Sequence, residues 1–124
     1  MSEYKPFSMK ERSKSFRYAF EGILCFFKRE HNAILHLLAT VIVLILSIIF
    51  PVSRSEIIVL IIVIGLVWTA EFFNTAIEKM ADLVSKEDHP EIKFIKDVAA
   101  AAVLVMAVVA LLTGCLIFIP NFFI

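Results

Sequence analysis

The sequence predicts an all-α membrane protein: an N-terminal amphipathic surface helix followed by three transmembrane helices. Hydrophobic residues make up 60% of the 124, and the mean hydropathy is +0.91. Both lie above what a soluble globule carries. The apolar residues also gather into long runs free of Asp, Glu, Lys and Arg, at Ala33–Phe50, Ile57–Ala70 and Val98–Ile119. The length suits one domain, taken here as 1–124. Formal net charge is zero, which gives no electrostatic case for a nucleic-acid partner.

Residues 1–9 lack periodicity and are expected to be mobile. From Lys10 to Arg29 (10–29) the pattern becomes helical. Phe16, Ala19, Phe20, Ile23, Leu24 and Phe27 recur at helical spacing, with Lys10, Arg12, Lys14, Arg17 and Lys28 mostly elsewhere. A basic helix with aromatic anchors suits the headgroup plane of a bilayer, and packing on its own protein is equally compatible. The polar, charged start gives no signal peptide.

Ala33–Phe50 (33–50) is the first span, near the short limit for ~30 Å of hydrocarbon, and Pro51 is expected to end it. Pro51–Glu56 reads as a tight polar connection. The second membrane helix, 57–84, crosses over Ile57–Ala70 and continues to Val84, because nothing before then breaks it. Ser85–His89 is the next connection. Pro90 fits the first turn of the last helix, 90–119, with Asp88 or His89 as its cap, and Pro120 is expected to stop it. That helix carries Ala99–Ala102, then Ala107, Ala110 and Gly114, small residues that let helices approach closely in lipid. Cys25 and Cys115 show no ligand spacing, and each is expected to be a buried free thiol.

The chemistry concentrates in W-T-A-E-F-F-N-T-A-I-E-K-M-A-D, Trp68–Asp82. Glu71, Asn74, Glu78 and Asp82 fall within a stripe about 80° wide at 100° per residue. Ionisable groups at the end of a membrane helix are costly and usually face protein or water and serve function. Glu30, His31 and Asn32 precede the first span, and Lys96 and Asp97 open the third. Seven Lys/Arg precede Ala33 and four lie from Lys79 to Lys96, against Arg54 alone in the 51–56 loop and none after Pro120. The positive-inside rule then puts the N-terminus, the stripe and the Ser85–His89 loop on the cytoplasmic side. Glu30, Glu78 and Asp82 are hard oxygen ligands suited to Mg²⁺ with phosphate oxygens, and Lys96 could offset phosphate charge. His36 alone reads as a satisfied polar contact, and the Lys86–Glu91 charge run, taken alone, as a solvated loop. No phosphate-loop or dinucleotide glycine motif is present, and the three glycines are isolated.

These residues resemble the small bacterial integral-membrane diacylglycerol kinases and undecaprenol kinases. The resemblance rests on E-F-F-N-T-A-I-E-K-M-A-D (Glu71–Asp82), E-D-H-P (Glu87–Pro90), K-D-V-A-A-A-A-V-L (Lys96–Leu104), F-R-Y-A-F-E-G-I (Phe16–Ile23) and Glu30-x-Asn32 with His36. It covers nearly the whole chain and implies a homotrimer in the bacterial cytoplasmic (inner) membrane, with active sites between protomers at the cytoplasmic face. By resemblance, Glu71 is the general base on the lipid hydroxyl, with Asn74 beside it toward the lipid substrate. Glu30 and Glu78 are the Mg²⁺-binding acids and also touch the nucleotide. Tyr18, Glu87, Asp88, His89, Lys96 and Asp97 match nucleotide-contacting positions, and Asp82 a supporting polar one. The family's N-terminal arginine falls by register on Glu11, leaving Arg12, its neighbour, to stand for it. Glu30-x-Asn32 with His36 is closer to the undecaprenol-kinase branch.

The expected function is therefore an ATP- and Mg²⁺-dependent kinase for the hydroxyl of a membrane lipid, diacylglycerol or undecaprenol. A rival is a small oligomeric transporter whose acids carry protons or metal ions, although the outer halves of the spans show no acid or base. A second is a scaffold that uses the stripe for assembly. It leaves unexplained why acids, amide and lysine collect at one depth.

Overall fold

A computed structural model describes residues 3–123 of the chain. Among the described residues all regular structure is helical: α1 (Met9–Arg29), α2 (Asn32–Ile49), α3 (Arg54–Val84) and α4 (Pro90–Phe122). The last three are long and apolar enough to cross a membrane. At 1.5 Å per residue they are ~27, ~46 and ~50 Å long. The first just matches ~30 Å of hydrocarbon, and the other two outrun it. The chain forms two compact units, Met1–Leu37 and Leu38–Ile124.

In the first unit, residues 3–7 carry no helix, while Met1 and Ser2, part of the segment expected to be mobile, lie outside the described residues. Ser8 is the N-cap of α1 in extended backbone, with no side-chain cap bond, and its carbonyl accepts the Arg12 amide at 3.2 Å. Lys28 and Arg29 occupy the last turn, where cations suit the negative end of the helix dipole. Glu30 closes the helix, its amide donating to the Phe26 carbonyl at 2.9 Å, and its carbonyl accepts the Ala33 amide at 3.2 Å. The Glu30–His31 link is therefore short, and α2 follows at once. Phe26 and Phe27 meet edge to face at 5.7 Å.

In the second unit, α3 and α4 form an antiparallel hairpin. Its buried residues on α3 are Leu60, Val63, Glu71 and Ala81. At 100° per residue these share a sector of about 80°. Asn74, Glu78 and Asp82 fall on that same face, so the polar stripe continues the face with which α3 packs. Facing it, α4 buries Ala99 and Ile117. On α2, the Thr40 hydroxyl accepts the Trp68 Nε1 proton at 3.0 Å, which satisfies an indole N–H that lipid would leave unpaired.

Besides one-residue shifts at the starts of α1 and α2, four boundary and burial details differ from the sequence expectation. The third helix begins at Arg54, three residues before Ile57, because Ser53 is its N-cap and accepts the Glu56 amide at 3.2 Å. The Ser-x-x-Glu spacing is the start signal. The second helix ends at Ile49, and Phe50 and Pro51 form the turn. Pro120 does not stop α4, which runs on to Phe122. A proline removes one amide bond, here the one to Leu116, and so near the end little else is lost. The Phe123 amide closes the turn on the Pro120 carbonyl at 3.3 Å. At the same end, Asn121 Nδ2 donates to Glu56 Oε2 at 3.0 Å and to the Ile117 carbonyl at 2.7 Å. Finally, Cys25 and Cys115 are free thiols but exposed on the chain, not buried. In a membrane helix an apolar position can face lipid as readily as protein.

Candidate active site

Along α3 the stripe changes character toward the Ser85–His89 loop. Glu71 is only 4% exposed, the one buried charged side chain among the described residues. One turn on, Asn74 is half-buried and its Oδ1 is buried without a hydrogen-bond partner. An orphaned buried acceptor costs about 1–3 kcal/mol and asks for an explanation such as a ligand or a second protomer. Glu78, another turn on, is half-buried and within electrostatic reach of Lys96. Asp82 then forms an ion pair across the hairpin with the Lys96 ammonium. The face thus runs from a buried carboxylate to a half-exposed one.

Beyond it, the Ser85–His89 loop and the first two turns of α4 line an open cleft of about 610 Å³. That volume suits a small-molecule ligand. The loop holds its shape through local bonds. Ser85 Oγ accepts the Glu87 amide at 3.2 Å. His89 caps α4 through Nδ1, which accepts the Glu91 amide at 3.1 Å, and Pro90 starts the helix. Of the two cap candidates, His89 takes the role. The positive end of the α4 dipole therefore opens at the cleft, where negative charge is favoured. Three ammonium groups, on Lys86, Lys93 and Lys96, and three carboxylates, on Glu87, Asp88 and Asp97, line its walls together with His89.

Five expected nucleotide positions, Glu87, Asp88, His89, Lys96 and Asp97, thus share one cleft. Asp82 joins it through Lys96, and Glu71, Asn74 and Glu78 lie on the helix face leading to it. The charged run from Lys86 is solvent-exposed, as a bland loop would be, yet it walls a cavity. The other three positions belong to the first unit. The Arg12 guanidinium lies over the Phe7 ring at 5.6 Å, and that of Arg17 over the exposed Tyr18 at 5.4 Å. Glu30 is half-buried at the end of α1. Among the described residues no three of His, Cys, Asp and Glu converge to hold a metal. Any ion here would need further ligands from phosphate and water, as Mg²⁺ characteristically takes. The sequence pattern does not single out Lys93, and it marks Lys86 only as the start of a charged loop. The i, i+4 spacing of Lys93 and Asp97 was the available signal.

The family model of the prokaryotic diacylglycerol kinases matches residues 17–118. The chain is 39% identical over 108 residues to the undecaprenol kinase of Bacillus subtilis, covering 87% of this chain and 88% of that protein. It is 33% identical over 107 residues to the diacylglycerol kinase of Synechocystis sp., covering 86% of this chain and 61% of that one.

Proposed function

We propose, because this chain belongs to the prokaryotic diacylglycerol kinase family and is a membrane lipid kinase, that it transfers the γ-phosphate of ATP to the hydroxyl of a membrane lipid. The transporter and scaffold readings give way to that membership. The observation that carries the assignment of parts is the continuity of the α3 face. It runs from buried Glu71 through Asn74 and Glu78 to the cleft that Lys96 and Asp97 line. In this reading the acceptor lipid enters from the bilayer beside Glu71, and the nucleotide from the cytosol into the cleft. Glu71 accepts the proton of the lipid hydroxyl as its oxygen bonds to the γ-phosphorus. The bond from that phosphorus to the ADP oxygen breaks, and ADP leaves with the electron pair. Lys96 offsets charge on the phosphates.

The donor chemistry fits Mg²⁺. Glu78 is a hard carboxylate beside the cation that faces phosphate, and Glu30 is assigned with it on resemblance. These two would hold the ion, which when bound would neutralise phosphate charge. Arg12 and Tyr18 are assigned to the nucleotide on resemblance alone.

For the acceptor we favour undecaprenol. Glu30-x-Asn32 with His36 supports it, as does the higher identity to the protein named undecaprenol kinase. A homotrimer with shared sites is the assembly, supported by the orphaned Asn74 oxygen and the small-residue stretch of α4. The test is purified protein in mixed micelles with labelled ATP, offered undecaprenol and diacylglycerol separately. Faster labelling of undecaprenol is expected, and native mass spectrometry of the same preparation should weigh a trimer. Preference for diacylglycerol would refute the acceptor, and an active monomer the shared site.

Orientation in the inner membrane follows from the Lys/Arg asymmetry. In a background with Cys25 and Cys115 changed to Ser, an impermeant thiol reagent added to intact cells should label Asn121→Cys and spare Ser85→Cys. The reverse pattern would put the cleft on the side without ATP.

A further inference from the structure

The loop cleft is electroneutral as it stands, with three ammonium groups facing three carboxylates. A nucleoside polyphosphate is strongly anionic, so its binding there draws on the cations that their own partners hold most loosely. Lys96 is partly committed: it is paired with Asp82 across the hairpin, and its side chain is 37% exposed. Lys93 stands one turn before it on α4. Its side chain is 77% exposed, and its ammonium reaches Asp97 at 2.5 Å, an i, i+4 contact on the helix surface. Exposed pairs of this kind are weakly held, since water and salt compete for both partners. A polyphosphate can therefore displace the Asp97 carboxylate from Lys93 at little cost. Lys86 also lines the cleft, but on the loop, whereas Lys93 is carried by a capped helix that fixes its Cα relative to Lys96.

We propose that Lys93 is a second phosphate-binding cation of this cleft, acting beside Lys96 on the β- and γ-phosphates of the nucleotide. The proposal rests on the nucleotide reading above and adds a residue to it. Its rationale is geometric: an exposed ammonium one turn from Lys96, held only by a surface pair, in a cleft that without it would carry two ammonium groups against three carboxylates.

Direct binding of ATP, ADP and adenosine to the detergent-solubilised full chain tests it, with Lys93→Gln and Lys93→Arg compared in the native and Asp97→Asn backgrounds. Lys93→Gln should weaken ATP about ten-fold, the loss of one charge-assisted hydrogen bond. ADP should weaken less and adenosine not at all, and Lys93→Arg should stay near native. The ATP effect should persist with Asp97→Asn. Equal weakening of adenosine would overturn the proposal. So would loss of the effect in an Asp97→Asn background that still binds ATP, which would make Lys93 merely a holder of Asp97. Unchanged ATP affinity would overturn it while leaving the kinase reading intact. A native chain that binds no ATP would overturn both.

Discussion

Glu71→Gln is expected to lower kcat by at least ~100-fold, with ATP affinity and oligomeric state close to native. A positioned carboxylate base contributes roughly 10²–10⁴-fold by accepting the proton of the attacking alcohol. The amide has nearly the same shape and keeps hydrogen bonds, but it cannot take that proton. Position favours Glu71 over the other acids of the stripe. It lies seven residues, ~10 Å along the axis, from Glu78 on the side away from the loop cleft. It is also the acid most fully withdrawn from water, at 4% exposure. In the proposed reading, a lipid hydroxyl arriving from the bilayer would meet it first.

Native-like ATP affinity and oligomeric state in the same variant separate loss of the base from loss of the fold. Glu71→Asp keeps basicity but shortens reach by one methylene, and should impair transfer as well if the hydroxyl is held at a fixed distance. Near-native turnover of Glu71→Gln, at saturating lipid and ATP, would show that another group takes the proton.

The three spans were legible because each is a long run without charge, and the Ser85–His89 connection because polar residues and Pro90 interrupt the pattern. The burial of Glu71 was foreshadowed by its stripe. Glu71 shares its helix face with Leu60, Val63 and Ala81, and periodicity alone places them together. Other features were weaker or absent in sequence. The early start of α3 rests on a four-residue signal at Ser53 that sits inside a stretch reading as a polar connection. Pro120 looks like a stop in sequence, but a proline near a helix end costs few bonds. The exposure of Cys25 and Cys115 depends on which side of a helix meets lipid, and an apolar context does not decide that. The cleft was the least legible part. Asp82 and Lys96 are fourteen residues apart, and only the hairpin brings them together. Lys93 acquires interest only once the loop has folded over the start of α4.

Glu78→Gln is the variant expected to change metal dependence most. Groups that merely orient metal ligands typically contribute 10–100-fold to metal affinity, so removing a charged ligand itself should cost at least ~100-fold. Activity at low Mg²⁺ should then fall steeply, and raised Mg²⁺ should restore part of it. Glu71→Gln should show no such rescue, since a missing base is not replaced by more metal. The effect also has a sign that separates a ligand from a bystander. Glu78 lies within electrostatic reach of Lys96, so neutralising it leaves Lys96 more positive in effect. If Glu78 only modulated that cation, Glu78→Gln would bind the anionic nucleotide more tightly. If it holds the ion that arrives with the phosphates, the same change must weaken binding. Titrating ATP at several fixed Mg²⁺ concentrations reads the sign directly. Weaker binding that recovers with Mg²⁺ supports the ligand role, whereas tighter binding, or a Mg²⁺ dependence like that of the native chain, removes Glu78 from the metal site.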